Sequence, residues 1–110
     1  MTTIILQDVK TSLGVLPSNL AFDLELLMHI NSATGSLYQL GVTEFVLGVT
    51  ETSLWPIFAN QTLDSTIKQY VTLKTKHIFD PIPNGVIANS MVDRMIELEG
   101  RITHEVEHVA

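Results

Sequence analysis

The first half of the chain shows apolar residues at helical spacing, punctuated by glycine and proline. Leu6, Val9 and Leu13 follow one another at intervals of three and four residues, and Gly14 stands where a helix C-cap would lie. This pattern predicts a short first helix over residues 4–13.

A longer second helix is predicted after Pro17, where Ser18 or Asn19 is placed to cap its N-terminus. Gly41 closes it. Its apolar stripe keeps spacings of three and four that no strand has, and consists of Phe22, Leu26, Ile30, Ala33, Leu37 and Leu40.

Two further helices are predicted in the second half, over residues 63–79 and 86–106, separated by a turn that holds two prolines and a glycine. The third stripe is Leu63, Ile67, Tyr70 with Val71, Lys74 and Ile78. The fourth is a narrow seam similar to a coiled-coil face, formed by Ala88, Met91, Met95, Leu98 and Ile102.

The segment between the second and third helices has a different pattern. Residues 42–49 are the only β-like stretch, and they are too few to build a sheet, which favours an extended arm or small hairpin. Residues 54–58 tolerate Pro56 only in a first helical turn and predict one or two turns. The expected fold is mainly α, a small irregular bundle of about four to five helices with a short extended arm or hairpin.

Composition adds an expectation about assembly. A chain of 110 residues fits a single domain, 1–110. Charged residues make up only 16%, against about 25% in an average soluble domain. The mean hydropathy of +0.28 indicates that another chain covers part of the surface, and we expect an oligomer.

Charge and residue content exclude several function classes. A net charge of −6 argues against a protein that grips nucleic-acid phosphates. The sequence has no cysteine, which excludes a thiolate nucleophile and a Cys-rich zinc site and fits a reducing cytosol. We find no signal sequence, membrane-spanning stretch or phosphate-binding loop, and we expect a soluble protein, made inside the cell, without a cofactor.

One motif has catalytic spacing. Residues 104–108 match H-E-x-x-H, in which two histidines one helical turn apart bind zinc and the glutamate activates water. Such a site needs a third protein ligand, and the chain stops two residues after His108. We therefore interpret the motif as a solvated helix end, with fortuitous zinc affinity at His104 and His108 as the alternative.

The only basic cluster joins Lys68, Lys74 and Lys76 with Tyr70. Three lysines on one helix are more often a solvated face than a nucleic-acid site, although a weak local contact with DNA stays open.

Six segments in order resemble the head-tail connector proteins of long-tailed bacteriophages, and together they span nearly the whole chain. Gly100 departs from the family pattern, and a glycine there would loosen the end of the last helix. The matching segments are residues 21–33, 39–42, 53–58, 67–74, 79–83 and 97–102.

The resemblance implies a non-enzymatic virion protein that forms a ring of about twelve subunits beneath the capsid portal. Its expected partners are the portal protein, a tail or stopper protein, and double-stranded DNA that passes through the channel without specific binding. Assembly would take place in the bacterial host cytoplasm.

A ring contact joins two unlike patches of each subunit. Our candidate for one patch is the arm, through Phe45, Val46, Leu47 and Val49, with packing on its own core as the equally weighted alternative.

Residues 103–110 are predicted to be a flexible C-terminal tail, because the chain there is polar and Gly100 weakens helicity. By the same resemblance, this tail would order on the portal through His104, Glu105, Val106, Glu107, His108 and Val109.

Two alternatives come from other classes. The first is a small helical adaptor or regulatory protein that binds one partner as a dimer through Met91, Met95 and Leu98. The second is a metal-dependent hydrolase that uses His104, Glu105 and His108.

Overall fold

The computed structural model describes residues 3–45, 48–58, 60–80 and 83–109, with side chains described as far as Glu107 in the last helix. Within these residues the chain forms four helices, α1 (Ile5–Leu13), α2 (Asp23–Gln39), α3 (Gln61–Phe79) and α4 (Gly85–Val109). No strand occurs in the described part of the chain. The predicted mainly α fold is confirmed.

Helix α3 lies at the centre of the bundle. It contacts α1, α2 and α4, while α1 also contacts α2. Helices α3 and α4 run antiparallel, as two hydrogen bonds between them show. Asn60 at the start of α3 bonds to Glu105, and Tyr70 in the middle of α3 bonds to the earlier residue Glu99. Across the described residues, α2 and α4 do not contact each other. They therefore form the two flanks of α3.

The predicted apolar stripes form most of the core. Two residues of the predicted stripes are exposed instead. Ile78 of α3 is 42% exposed, and Phe22 of the α2 stripe is 39% exposed, with its ring edge-on against Phe79 at 5.3 Å between centroids. The segment between α2 and α3 adds Val42, Phe45, Val49 and Trp55. The buried hydrophobic residues of the helices are Ile5, Leu6, Val9, Leu26, Ile30, Ala33, Leu37, Leu63, Ile67, Tyr70, Val71, Leu98 and Ile102.

Helix α1 confirms its prediction, and α2 corrects one. Gly14 ends α1 in the left-handed conformation at φ 76°. Helix α2 begins at Asp23 rather than just after Asn19, whose side chain instead accepts a hydrogen bond from the Ala21 amide. The reason is Lys10, whose fully buried ammonium contacts the carbonyl oxygens of Pro17 and Asn19 and so holds this segment as a loop.

Residues 54–58 are not helical, which corrects the prediction of one or two turns. The Trp55 amide donates to the Thr3 carbonyl at 3.1 Å, and Leu54 forms an isolated antiparallel bridge with Ile4. Pairing with the N-terminal segment satisfies the backbone that a helical turn would otherwise have satisfied. The extended arm is not confirmed either, since the described residues of 42–49 form turns and irregular backbone.

Helix α4 continues through Gly100 and past the predicted end at residue 106. Nothing lies within 4 Å of the position that a Gly100 Cβ would occupy, so this glycine does not mark a close packing contact. The residues of the predicted tail thus share one helix with the core residue Ile102. The mobility of that tail stays a prediction.

Candidate functional site

The two halves of α4 differ in burial. In its first half, residues 85–97, no side chain is buried, and four large apolar residues are 36–76% exposed. We call this segment the exposed half of α4, and residues 98–109 the anchored half. The exposed apolar residues are Val86, Ile87, Val92 and Ile96.

Helix α2 presents a second apolar surface on the other flank of α3. Leu24 and Met28 lie one turn apart and point away from the core, with exposures of 81% and 71%, and Leu20 precedes them at 69%. We call these three residues the α2 surface. A lone exposed leucine is ordinary, but three large apolar side chains exposed within one short segment favour an interaction site.

A buried polar network fastens the anchored half of α4. The Tyr70 hydroxyl donates to a Glu99 carboxylate oxygen at 2.7 Å, and Lys74 donates to Ser36 on α2 at 2.7 Å and to the Tyr70 oxygen at 3.3 Å. Burial, with the hydrogen bond to Glu99 second, raises the pKa of Tyr70 well above its ordinary value. Tyr70 therefore stays a neutral donor and joins α3 to α4.

The H-E-x-x-H segment is tied to the body of the subunit. The side-chain amide of Asn60 donates to Glu105 at 2.6 Å, while its oxygen Oδ1 caps the start of α3 by accepting from the Leu63 N–H. Val106 packs against the core, and His104 and Glu107 are exposed. The side chains of His108 and Val109 lie outside the described residues. Among the described side chains, no group of three or more His, Cys, Asp or Glu residues is placed to bind a metal.

The predicted arm surface is partly internal. Phe45 and Val49 are 9% and 6% exposed, and the Phe45 ring packs against the rings of Trp55 and Phe58. Asn31 of α2 holds the segment in place, since its amide pairs with both the N–H and the C=O of Val49. These two residues follow the alternative that they pack on their own core, whereas Val46 and Leu47 lie outside the described residues. A contact of this segment with a neighbouring subunit stays a prediction.

The structure divides the lysine cluster. Lys74 points towards Ser36 and Tyr70, but Lys68 and Lys76 line a cleft of about 520 Å³ between α1, α3 and α4. Arg94 of α4 joins them there. Sequence reasoning missed Arg94 because it lies 18 residues beyond Lys76 and reaches the cleft only when α4 folds back along α3.

Lys10 is a further residue whose environment the sequence reasoning missed. Its ammonium forms an ion pair with Asp23, at 2.9 Å from a carboxylate oxygen, and donates hydrogen bonds to the two carbonyl oxygens. A signal existed, because Lys10 falls on the apolar face of α1 with Leu6, Val9 and Leu13. A buried lysine with this set of partners is structural.

Comparison with known proteins gives one match. Residues 5–109 match the family model described as "Phage connector protein". No curated protein sequence and no solved structure matches the chain significantly. None of the described helices is long and apolar enough to cross a membrane.

Proposed function

The chain belongs to the phage connector protein family, and from this premise we propose that it is a virion subunit that assembles into a ring adaptor between the portal of the capsid and the tail or stopper. The ring has about twelve subunits and encloses a channel through which DNA passes during and after packaging. It assembles in the bacterial host cytoplasm and has no enzymatic role.

The observation that carries the proposal is the position of the two exposed apolar surfaces. The α2 surface and the exposed half of α4 lie on helices that flank α3 and do not contact each other within the described residues. Two unlike patches on separate flanks suit a heterologous contact, in which one patch of each subunit meets the other patch of the next. Such a contact closes into a ring when the rotation between subunits permits it.

Charge supports a channel that does not retain DNA. The chain carries twelve acidic and six basic residues, and two of the basic ones, Lys10 and Lys74, are engaged with partners inside the bundle. A net charge of −6 repels phosphates on average and keeps non-specific affinity low. A protein of this kind is suited to let DNA slide.

We propose that the last turns of α4 contact the portal. His104 and Glu107 are exposed there, and Glu105 and Val106 face the body of the subunit through Asn60 and the core. A portal contact therefore uses His104 and Glu107, together with His108 and Val109 at the end of the helix.

The dimeric adaptor has less support. Its proposed seam runs through Met91, Met95 and Leu98, but Leu98 is 1% exposed and belongs to the core. Only the two methionines are left half-buried on that seam. The hydrolase alternative loses Glu105 as a free base, because that carboxylate accepts a hydrogen bond from Asn60.

The test uses one damaged surface at a time. Leu24→Glu disrupts the α2 surface, Ile96→Glu disrupts the exposed half of α4, and Ile57→Glu changes a loop residue, 86% exposed, that belongs to neither surface and serves as the control. With portal protein present, negative-stain images should show rings for the wild type and for Ile57→Glu, and none for the other two variants.

Mixing the two surface variants distinguishes a heterologous contact between subunits from a symmetric one. Leu24→Glu keeps an intact α4 surface and Ile96→Glu an intact α2 surface, so a mixture should form dimers that stop at two subunits. Light scattering on the separate variants should show monomers. A wild type that stays monomeric alone and with its portal would overturn the proposal.

A further inference from the structure

The cleft between α1, α3 and α4 brings three basic side chains together in an acidic protein. We call it the basic cleft and define it by Lys68, Lys76, Arg94, Trp55, Leu73 and Leu98. Three of the six basic residues of the chain line it, and the one carboxylate among its lining residues is that of Asp8. That carboxylate is already engaged, since Trp55 donates its indole N–H to it at 2.7 Å.

The three cations keep capacity for an anionic ligand. Lys76 has no hydrogen bond or ion pair to any residue that the structure describes, and it is only half-buried. Lys68 forms an ion pair with Asp64 at 3.2 Å and lies 5.8 Å from the centre of the Trp55 ring. Arg94 forms an ion pair with Glu97 at 3.1 Å and donates to Gln69 at 3.1 Å, which leaves part of its five-donor guanidinium free.

Apolar side chains also line the cleft. Leu73, half-buried on α3, lies there together with Leu98 and Trp55. Its volume of about 520 Å³ lies within the range of pockets that hold small ligands. A ligand that fits must combine negative charge with an apolar group.

We propose that the basic cleft binds a short acidic peptide segment of a partner protein, in which carboxylates flank an aliphatic or aromatic side chain. Arg94 and Lys76 would receive the carboxylates, and the apolar side chain would rest on Leu73. This inference goes beyond ring formation and does not depend on it, because the cleft uses neither the α2 surface nor the exposed apolar residues of α4.

A peptide fits the cleft better than duplex DNA does. The phosphates of a duplex lie on a broad convex surface, whereas the cations here line a concave cleft together with apolar side chains. The net charge of −6 also opposes a polyanion as large as a duplex, while a short peptide meets mainly the local field of the cleft.

The experiment measures fluorescence anisotropy with three labelled octapeptides, one of alternating Glu and Leu, one of Gln and Leu, and one of Lys and Leu. The wild-type protein should bind the Glu-Leu peptide about tenfold more tightly than the Gln-Leu peptide, a difference of about 1.4 kcal/mol, and should not bind the Lys-Leu peptide. The preference should shrink as salt is raised.

Charge reversal locates the site. Lys76→Glu with Arg94→Glu should remove the preference for the Glu-Leu peptide, while Asn89→Glu, which adds negative charge at an exposed position of the same helix outside the cleft, should leave it unchanged. The milder pair Lys76→Gln with Arg94→Gln repeats the test if melting shows that the reversed protein is unstable. Amide shifts in a titration should centre on Thr72, Leu73 and Lys76.

Three outcomes would overturn the proposal. Equal affinity for the Glu-Leu and Gln-Leu peptides would show that the protein contacts only the apolar side chains of the peptide. Tighter binding of a short DNA duplex than of the Glu-Leu peptide, lost on the same charge reversals, would assign the cleft to nucleic acid. Loss of self-association in the reversed protein, with peptide binding unchanged, would assign it to a second copy of this chain.

Discussion

One apolar seam runs along both halves of α4, but it is buried in one half and largely uncovered in the other. The anchored half buries Leu98 and Ile102, and its carboxylates accept hydrogen bonds from Tyr70 and Asn60 of α3. The exposed half has no buried residue. One continuous helix thus serves as a core element at one end and as an open surface at the other.

The difference between the two halves of α4 shows how much can be inferred from apolar periodicity. A seam with spacings of three and four indicates that a helix face will be covered, but it does not say whether the same chain or another covers it. In the anchored half, α3 covers the seam. In the exposed half, Met91 and Met95 are only partly covered and Val92 and Ile96 face outward.

The largest expected effect comes from truncating one isoleucine in each half. Ile102→Ala removes a side chain with 0% exposure and should lower the free energy of unfolding by about 2–5 kcal/mol. Ile96→Ala, at a position 60% exposed, should change it by about 0.5 kcal/mol or less and instead weaken assembly. Urea unfolding measures the first effect and light scattering the second. Similar losses of stability in both variants would show that the exposed half is also part of the core.

Tyr70→Phe tests the polar attachment of the anchored half. It removes the donor to Glu99 and should cost about 1–3 kcal/mol, because the carboxylate then loses its partner in a partly buried place. Tyr38→Phe is the matched control, since Tyr38 is 57% exposed. Equal effects of the two substitutions in urea unfolding would mean that the network does not fasten α4.

The same tyrosine predicts a loss of stability in alkali. The pKa of Tyr70 is raised in the folded protein, while in the unfolded chain a tyrosine loses its proton near pH 10. Above about pH 10 the unfolded state therefore binds fewer protons, and stability falls as pH rises, by up to about 1.4 kcal/mol per pH unit. Melting from pH 9 upward should show this fall in the wild type and a smaller one in Tyr70→Phe. A parallel fall in both proteins would contradict the assignment.

Apolar periodicity predicted the features of the fold that depend on residues close together in the sequence. The stripe through Leu26, Ile30 and Leu37 follows from spacing alone, and Gly14 ends α1 where its position indicated. The extended backbone at Trp55 could not be predicted in this way, because its hydrogen-bond partner, Thr3, is distant from it in the sequence.

The basic cleft illustrates the same limit for a site. Lys68 and Lys76 were visible as a cluster on one helix, but Arg94 and Leu98 reach them only through the packing of α4 against α3. Nor did the sequence separate Lys74 from the cluster, since its partner Ser36 belongs to α2. Sites built from several helices require the tertiary structure.

A smaller effect is expected at Gly41, which adjoins the anchored half. Its φ of 102° disfavours any side chain, and an added Cβ would lie 2.9 Å from Cγ1 of Val106. Gly14, at φ 76° with nothing within 4 Å, is the matched control that carries the backbone strain alone. Gly41→Ala should therefore cost about 1–2 kcal/mol more than Gly14→Ala.

Val106→Ala identifies the source of that excess. In the Val106→Ala background, the atom that the new Cβ would meet is gone, so the additional cost of Gly41→Ala should fall towards that of Gly14→Ala in a double-mutant cycle. An excess that persists would place the strain in the backbone and not in the contact between Gly41 and α4.

A small effect on stability is expected on removing Thr103 to Ala110. The deletion loses the hydrogen bond between Asn60 and Glu105 and the partial burial of Val106, but Leu98 and Ile102 stay in the core. Asn60 also becomes accessible to water and keeps its bond to Leu63, so the cost should be about 1 kcal/mol or less. Portal co-sedimentation should fall, because the deletion removes the proposed contact through His104 and Glu107. Circular-dichroism melting and the co-sedimentation assay are carried out on both the full-length and the truncated protein. A truncated chain that is unfolded would show that the segment is part of the core. A truncated chain that co-sediments normally would show that the portal contact lies elsewhere on the subunit.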